Sequence, residues 1–434
     1  MNIKKGTDMK KYEEIYHTYK HLILSGILKE GDCIDSIRVC CKKRNVSKTT
    51  VENAYQKLML DGFILSKEKV GYVVCMKPEQ VKLHHEILDY SNEHKEKVYT
   101  YDLRIQSVSF DSFEINIWKR YMKQVLNDKA CMSSYGNSQG EYALRRSLCK
   151  YVYENRNILC FPKQMVIGSN YQSLLYIFCG LLNKDKRVGL SPFVDEQAKQ
   201  VFVSYGFDVV YCSTEHFVQD IQDKHVDIVY VNTTCFTKDK QAMSGSIRNE
   251  LLKIKDILIL EDDYNGELVY ASKPKPCLFS KSRNVIYFSS FSRLLLPSLR
   301  MSYMILNEDY MKMYQSKSFG PAASKMEQMA LSQYIVDGYL QKHLRKLIRE
   351  YKEKYQLLQD LLKEYVPYSF CLDETYMAYW IECDKDRDVL LKKSEAFSLG
   401  LNIEMGRIGL SFASIEKEKM EPAVICLAQM LKEC

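Results

Sequence analysis

The sequence predicts a multidomain chain: a small α+β module of three helices and a hairpin, then an α/β domain that ends in an α+β lobe. Within the first 75 residues, three segments with helical spacing precede two short β-rich runs. From Tyr101 onward, short apolar runs alternate with helical stretches, the pattern of a largely parallel sheet covered by helices on both faces. Charge divides the chain at the same place. Residues 1–75 hold 14 Lys+Arg against 9 Asp+Glu, or +5, whereas the other 359 residues hold 48 against 46, or +2, within a total of +7. That asymmetry points to an N-terminal module that faces a polyanion.

The first helix spans about Lys11 to Ser25, with Ile15, Tyr16, Tyr19, Leu22 and Ile23 at apolar positions and Gly26 closing it. Residues Leu28 to Asp32 form a turn, and Ser36 caps a short second helix that runs to about Arg44. After the turn at Asn45–Val46–Ser47, Ser47 caps a third helix with Val51, Ala54, Tyr55 and Leu58 on one face, ended by Gly62. GFILSKEKVGYVV then reads as a hairpin with a charged tip, and the whole makes a winged helix-turn-helix over 1–76.

Residues 77–100 are polar and lack sustained periodicity, so they form a linker. His84, His85 and His94 in it have no acid or cysteine at ligand spacing and read as surface histidines rather than metal ligands. A large domain follows over 101–320, with strands expected at Met165–Ile167, Arg187–Leu190, Asp208–Tyr211, Ile228–Val231, Ile257–Leu260 and Val285–Phe288. Residues 321–434 hold long amphipathic helices, including Tyr339 to Glu364, and a small lobe with strands near Met377–Ile381 and Arg407–Phe412.

Composition narrows the class. Hydrophobic residues at 46% and charged residues at 27% exclude wholesale disorder. The longest apolar run, Ser173 to Leu182, is about half of the roughly 18 residues that a membrane helix needs. With no apolar stretch at the N-terminus, a cytoplasmic location is expected. The fifteen cysteines are scattered, include no CxxC pair, and read as reduced thiols in the core; the adjacent Cys40–Cys41 is the one close pair open to a redox role.

YEEIYHTYKHLILSGILKEGDCIDSIR, then VSKTTVENAYQKLMLDGFI and a short wing, resembles the DNA-binding domain of GntR-type bacterial regulators. The resemblance implies a third helix in the major groove, a wing at the minor groove, and DNA contacts from Arg38, Ser47, Lys48, Thr49, Thr50 and Gly71. The chemistry agrees. Arg38 and Lys48 reach phosphates or guanine edges, and hydroxyls at a helix N-terminus suit phosphates. The plainer reading of Lys42, Lys43, Arg44 and Lys48 is a solvated face.

The rest resembles a fold-type I aminotransferase, the partner domain in the MocR branch of GntR regulators. YGNSQGEYALRRSLCKYV, VIGSNYQSLLYIFCGLL, LILEDDYNGEL and VIYFSSFSRLLLPSLRMSY stand in family order. The resemblance implies pyridoxal 5'-phosphate, with its phosphate at Ser169, Asn170, Tyr171 and Gln172, its ring nitrogen at Asp262, a phenol from Tyr264, and further contacts from Ser292 and Arg300. It also implies a lysine where this chain has Arg293. A guanidinium stays protonated and cannot supply the neutral amine of an imine. No lysine between Ser282 and Met311 replaces it.

Other positions depart as well. The proline-bearing stretch beside the cofactor ring is here VNTTCFTKDKQAMSG, the loop of the stacking aromatic is SPFVDEQ with Phe193 nearby, and the substrate-clamping arginine falls on Gly409, with Arg407 two residues away. The implied protein is a homodimeric regulator on a double-stranded operator, catalytically inactive, with dimerisation and binding of a small anionic effector assigned to the large domain. The alternatives are a pyridoxal-dependent aminotransferase and a regulator that senses pyridoxal phosphate.

Overall fold

The structure, a computed structural model, describes residues 10–76, 97–105, 108, 113–404 and 406–433. His84, His85 and His94 lie outside the described residues, as does most of the expected linker. The chain divides into two compact units, Met1–Lys97 and Val98–Cys434.

In the first unit α1 spans Lys11–Leu24, α2 Ile37–Arg44 and α3 Lys48–Leu60. The caps form as the sequence predicts: Ser36 Oγ accepts from the Val39 amide and Ser47 Oγ from the Thr50 amide. Asn45 takes a left-handed conformation (φ 50°) that ends α2. Strands β1 (Ile64–Lys67) and β2 (Gly71–Val74) pair antiparallel with Lys67 opposite Gly71. Gly71 closes the wing at φ 110°, a conformation that favours glycine. Ile15, Tyr19, Ile23, Val51, Tyr55 and Leu58 meet in one core, and the buried Tyr55 hydroxyl donates to the Asp35 carbonyl at 2.7 Å.

In the second unit β3 (Tyr101–Asp102) opens the described chain and β4 (Met165–Gly168) begins the large sheet. Then come β5 (Arg187–Leu190), β6 (Asp208–Tyr211), β7 (Ile228–Asn232), β8 (Leu258–Asp262), β9 (Val285–Ser290) and β10 (Ser302–Ile305). The order across the sheet is β4-β10-β9-β8-β7-β5-β6. Neighbours are parallel except β10, which runs antiparallel to both β4 and β9. Strand β10 was not among the expected strands; it follows a connection too short for a crossover helix, so it must return antiparallel. Strands buried on both faces explain uniform runs such as VIYFSS in β9.

The smaller sheet joins β11 (Phe370–Asp373), β12 (Ala378–Glu382), β15 (Arg407–Ser411) and β14 (Asn402–Glu404) in that order, all antiparallel. Between β12 and β14, β13 (Leu399–Gly400) instead pairs in parallel with β3, which ties residues 101–102 to the C-terminal lobe. The long helix Tyr339–Tyr365 buries Leu344, Leu347, Tyr351 and Leu358 in the core shared by both lobes.

Candidate functional site

Ligands of open α/β sheets settle at the carboxyl ends of the strands, and this sheet presents two adjoining groups of polar residues there. Gly168, Ser302 and Ser290 stand side by side in register across β4, β10 and β9. The loops leaving that row bring Asn170, Tyr171, Gln172, Ser290, Ser292 and Arg300 to the wall of a cavity of about 410 Å³. Helix Tyr171–Cys179 starts here, with Asn170 as its cap accepting from the Ser173 amide at 2.7 Å. Its first amides and positive end, the two serine hydroxyls and the exposed Arg300 make a corner whose chemistry suits an anion.

The second group lies over β7 and β8, where Asn232 is the register partner of Asp262. Asp262 accepts from the Tyr230 hydroxyl at 2.9 Å and from Asn232 Nδ2 at 3.4 Å. Burial nevertheless raises its carboxyl to about 7, and Asp263 and Asp195 push the same way. Tyr264 also lines the cavity, and burial raises its phenol against the opposing pull of Arg293.

Ser169 and Arg293 are not among the lining residues. Ser169 faces Ser173, Oγ to Oγ 3.4 Å. Arg293 is 7% exposed and sits behind Tyr264, donating from Nε to the Tyr264 hydroxyl at 3.2 Å with its guanidinium 5.5 Å from the Tyr376 ring centre. Its Nη1 is buried without a partner among the described residues. A buried guanidinium nitrogen in that condition costs free energy unless an acceptor reaches it.

Three features of the wall were not read from the sequence. Tyr171 points its phenol inward: the hydroxyl is buried without a hydrogen-bond partner among the described residues, and burial, then Asp195 and Asp262, raise its pKa. Trp380 occupies the place of the missing clamp. It is the register partner of Gly409, and a side chain at 409 would begin 3.0 Å from its ring. Arg407, two residues from Gly409, does not stand in for the clamp, because it pairs with Glu382 at 3.1 Å and is not among the residues lining the cavity. Lys240, with Nζ 5.9 Å from the centre of the Trp380 ring, also lines the cavity, as do Asp195 and Asp373, the latter accepting from Trp380 Nε1 at 3.2 Å. The signals available were a helix cap at Asp195 and one of only two tryptophans.

The residues present do not fit covalently held pyridoxal phosphate. The anion corner suits a phosphate. However, Arg293 offers no amine, and Asp262 already accepts from two neighbours.

Behind this wall, burial also raises the carboxyl of Glu267 to about 7, with the charge of Asp263 adding to it, and neither Glu267 oxygen has a partner among the described residues. An acid whose pKa is raised by folding keeps its proton where the unfolded chain has lost it, so its contribution to stability falls as pH rises between the two values. The shift from 4.5 to about 7 is worth about 3 kcal/mol. Relative to wild type, Glu267→Gln should therefore gain about that much stability from pH 4 to pH 8, read by calorimetry; a difference independent of pH would refute the assignment.

On the first unit, α3 turns Lys48, Thr49, Asn53 and Gln56 to solvent, opposite its buried Val51, Ala54, Tyr55 and Leu58. Asn53 and Gln56 were not among the expected contacts, although they share the helical face of Thr49. Lys48 pairs with Glu52 at 3.2 Å, and Ser47 and Thr50 bring their hydroxyls within 2.7 Å of each other. Arg38 is exposed on α2. Besides Lys48, two further residues of the basic cluster are engaged within the module: Lys43 pairs with Asp35 at 2.8 Å and Arg44 reaches Thr18 at 3.4 Å.

Comparison with known proteins agrees with both units. The chain is 28% identical over 368 residues to YdeL of Bacillus subtilis (strain 168), which is named an uncharacterized HTH-type transcriptional regulator; 80% of this chain and 78% of that protein are covered. It is 22% identical over 405 residues to the probable rhizopine catabolism regulatory protein MocR of Rhizobium meliloti, covering 85% of this chain and 80% of that one. Among solved structures, kynurenine aminotransferase of Pyrococcus horikoshii superposes with a TM-score of 0.66 at 20% identity, over 82% of this chain and 95% of the enzyme. An archaeal alanine:glyoxylate aminotransferase gives 0.68 at 20% identity, over 81% and 94%. The sequence profile of aminotransferase class I and II matches residues 107–424, the stretch that builds the sheet, the cavity and the C-terminal lobe. With most of its length inside that match and its sheet folded accordingly, the chain belongs to the aminotransferase class I and II family.

Proposed function

We propose that this chain is a DNA-binding transcriptional regulator. Two copies pair through the aminotransferase-like domain, which holds a small anionic effector without forming an imine and does not catalyse transamination. The observation that carries the reading is the first unit: a three-helix module with a wing whose α3 seals one face in a core and presents Lys48, Thr49, Asn53 and Gln56 on the other. That is the arrangement by which a recognition helix enters the major groove. The relatives named as HTH-type transcriptional regulators support it. No helix among the described residues is long and apolar enough to cross a membrane.

The effector reading rests on the corner formed by the start of helix Tyr171–Cys179, Ser290, Ser292 and Arg300, whose amides, hydroxyls and guanidinium favour a phosphate or carboxylate. A homodimer places two recognition helices on two half-sites of a palindromic operator. The test is fluorescence anisotropy of the full-length protein on duplex DNA from upstream of its own gene and on a shuffled duplex. A specific site should bind at least about 1,000-fold more tightly at moderate salt. Equal affinity for the two duplexes across that upstream region would refute the reading.

A further inference from the structure

The redox reading of the sequence fell on Cys40–Cys41, but Cys40 is buried in the core of the first unit. A different pair meets in the second unit. Cys149 lies on helix Tyr142–Arg156, which ends at the left-handed Asn157 (φ 53°); the chain then turns back and lays Cys160 beside the helix. The two sulfurs are 3.6 Å apart, and both residues are half-buried.

We propose that Cys149 and Cys160 form a reversible redox modification site at which hydrogen peroxide closes an intramolecular disulfide. The geometry asks little of the fold. The sulfurs must close from 3.6 Å to about 2.05 Å, a movement within reach of side-chain rotation, and the short turn between them holds the partner in place. The two thiols are unlike. The hydrogen bond with Cys160 lowers the Cys149 pKa, and the Arg145 guanidinium one turn earlier lowers it further, while the same contact and burial push the Cys160 thiol up. These opposite directions make Cys149 the sulfur better suited to attack and Cys160 the resolving thiol.

In the first step the Cys149 thiolate attacks one peroxide oxygen. The O–O bond breaks, a sulfenic acid forms, and the departing hydroxide takes a proton to leave as water. In the second step the Cys160 sulfur attacks the sulfenic sulfur. The S–O bond breaks, the S–S bond forms, and the hydroxide leaves as a second water carrying the Cys160 proton. Two thiols lose two electrons and two protons, and one hydrogen peroxide is reduced.

The bond would sit on a clamp that reaches the cavity. Arg145 donates to the carbonyls of Gly140 at 2.9 Å and Pro162 at 2.6 Å, and Pro162 lies two residues after Cys160. Gln139 beside Gly140 holds the Met165 carbonyl at 2.8 Å, where β4 starts towards the anion corner.

The experiment treats the full-length reduced protein with hydrogen peroxide, alkylates the remaining thiols, and maps peptides without reduction. The expected result is a peptide pair linked through Cys149 and Cys160, a mass lower by two hydrogens, and reversal by dithiothreitol. In Cys160→Ser, dimedone should trap a sulfenic acid on Cys149. Full alkylation of both thiols after peroxide, or a linkage that joins other cysteines in preference, would overturn the proposal.

Discussion

Replacing Asp263 with alanine should destabilise the second unit by about 3–5 kcal/mol, because it leaves a buried arginine without its counter-ion. Arg156 Nε and Nη2 reach the two Asp263 oxygens at 2.6 and 2.8 Å, with the side chains 6% and 0% exposed. The Tyr287 hydroxyl donates to the same carboxylate at 2.7 Å. The space is closed around it, since a side chain at Gly266 would begin 2.3 Å from Asp263 Oδ1. Asp263 therefore fixes the end of β8 and, one residue before it, the orientation of Asp262 towards the cavity. Urea denaturation followed by circular dichroism reads the loss, and a cost below about 1 kcal/mol would contradict the account of this pair. The double change Arg156→Met with Asp263→Leu should cost less than the single changes together, because it removes both charges.

The second large effect is on DNA. Arg38→Ala and Lys48→Ala should each weaken operator binding and lower the slope of log affinity against log salt by about one per lost phosphate contact. Arg38 is exposed on α2, and Lys48 gives up only a solvent-exposed pair with Glu52 when it turns to the backbone. Asn53→Ala and Gln56→Ala should behave differently. A bidentate amide contact to adenine carries about 1–3 kcal/mol of discrimination and no charge, so specificity should relax while the salt slope stays. Titrations at four salt concentrations separate the two classes, and unchanged affinity in all four variants would rule out this docking face.

Much of the fold was legible because it depends on local signals. Ser36 and Ser47 announce their helices, Gly62 marks the end of α3, and the runs at Arg187–Leu190 and Asp208–Tyr211 match β5 and β6 residue for residue. What escaped depends on distant partners. Strand β10 is four residues long, and it becomes a strand because β4 and β9 leave a slot for it. Strands β3 and β13 are two residues each and exist only as a pair.

The candidate site divides in the same way. The identity of Arg293 is written in the sequence, and so is its consequence for imine chemistry. The inward turn of Tyr171, the seating of Trp380 against Gly409, and the meeting of Cys149 with Cys160 are products of packing. Spacing along the chain does not predict which side chain fills a space that another has vacated.

The account stands or falls on the claim that an aminotransferase fold keeps its cavity here without its covalent chemistry. The most direct measurement incubates the full-length protein with pyridoxal phosphate, reduces it with borohydride, and maps modified lysines by mass. The predicted result is no stoichiometric pyridoxyl-lysine in residues 98–434 and no visible absorbance band that borohydride removes. A single, stoichiometric, reduction-stable adduct on a lysine of the cavity wall such as Lys240, with loss of that band, would contradict it.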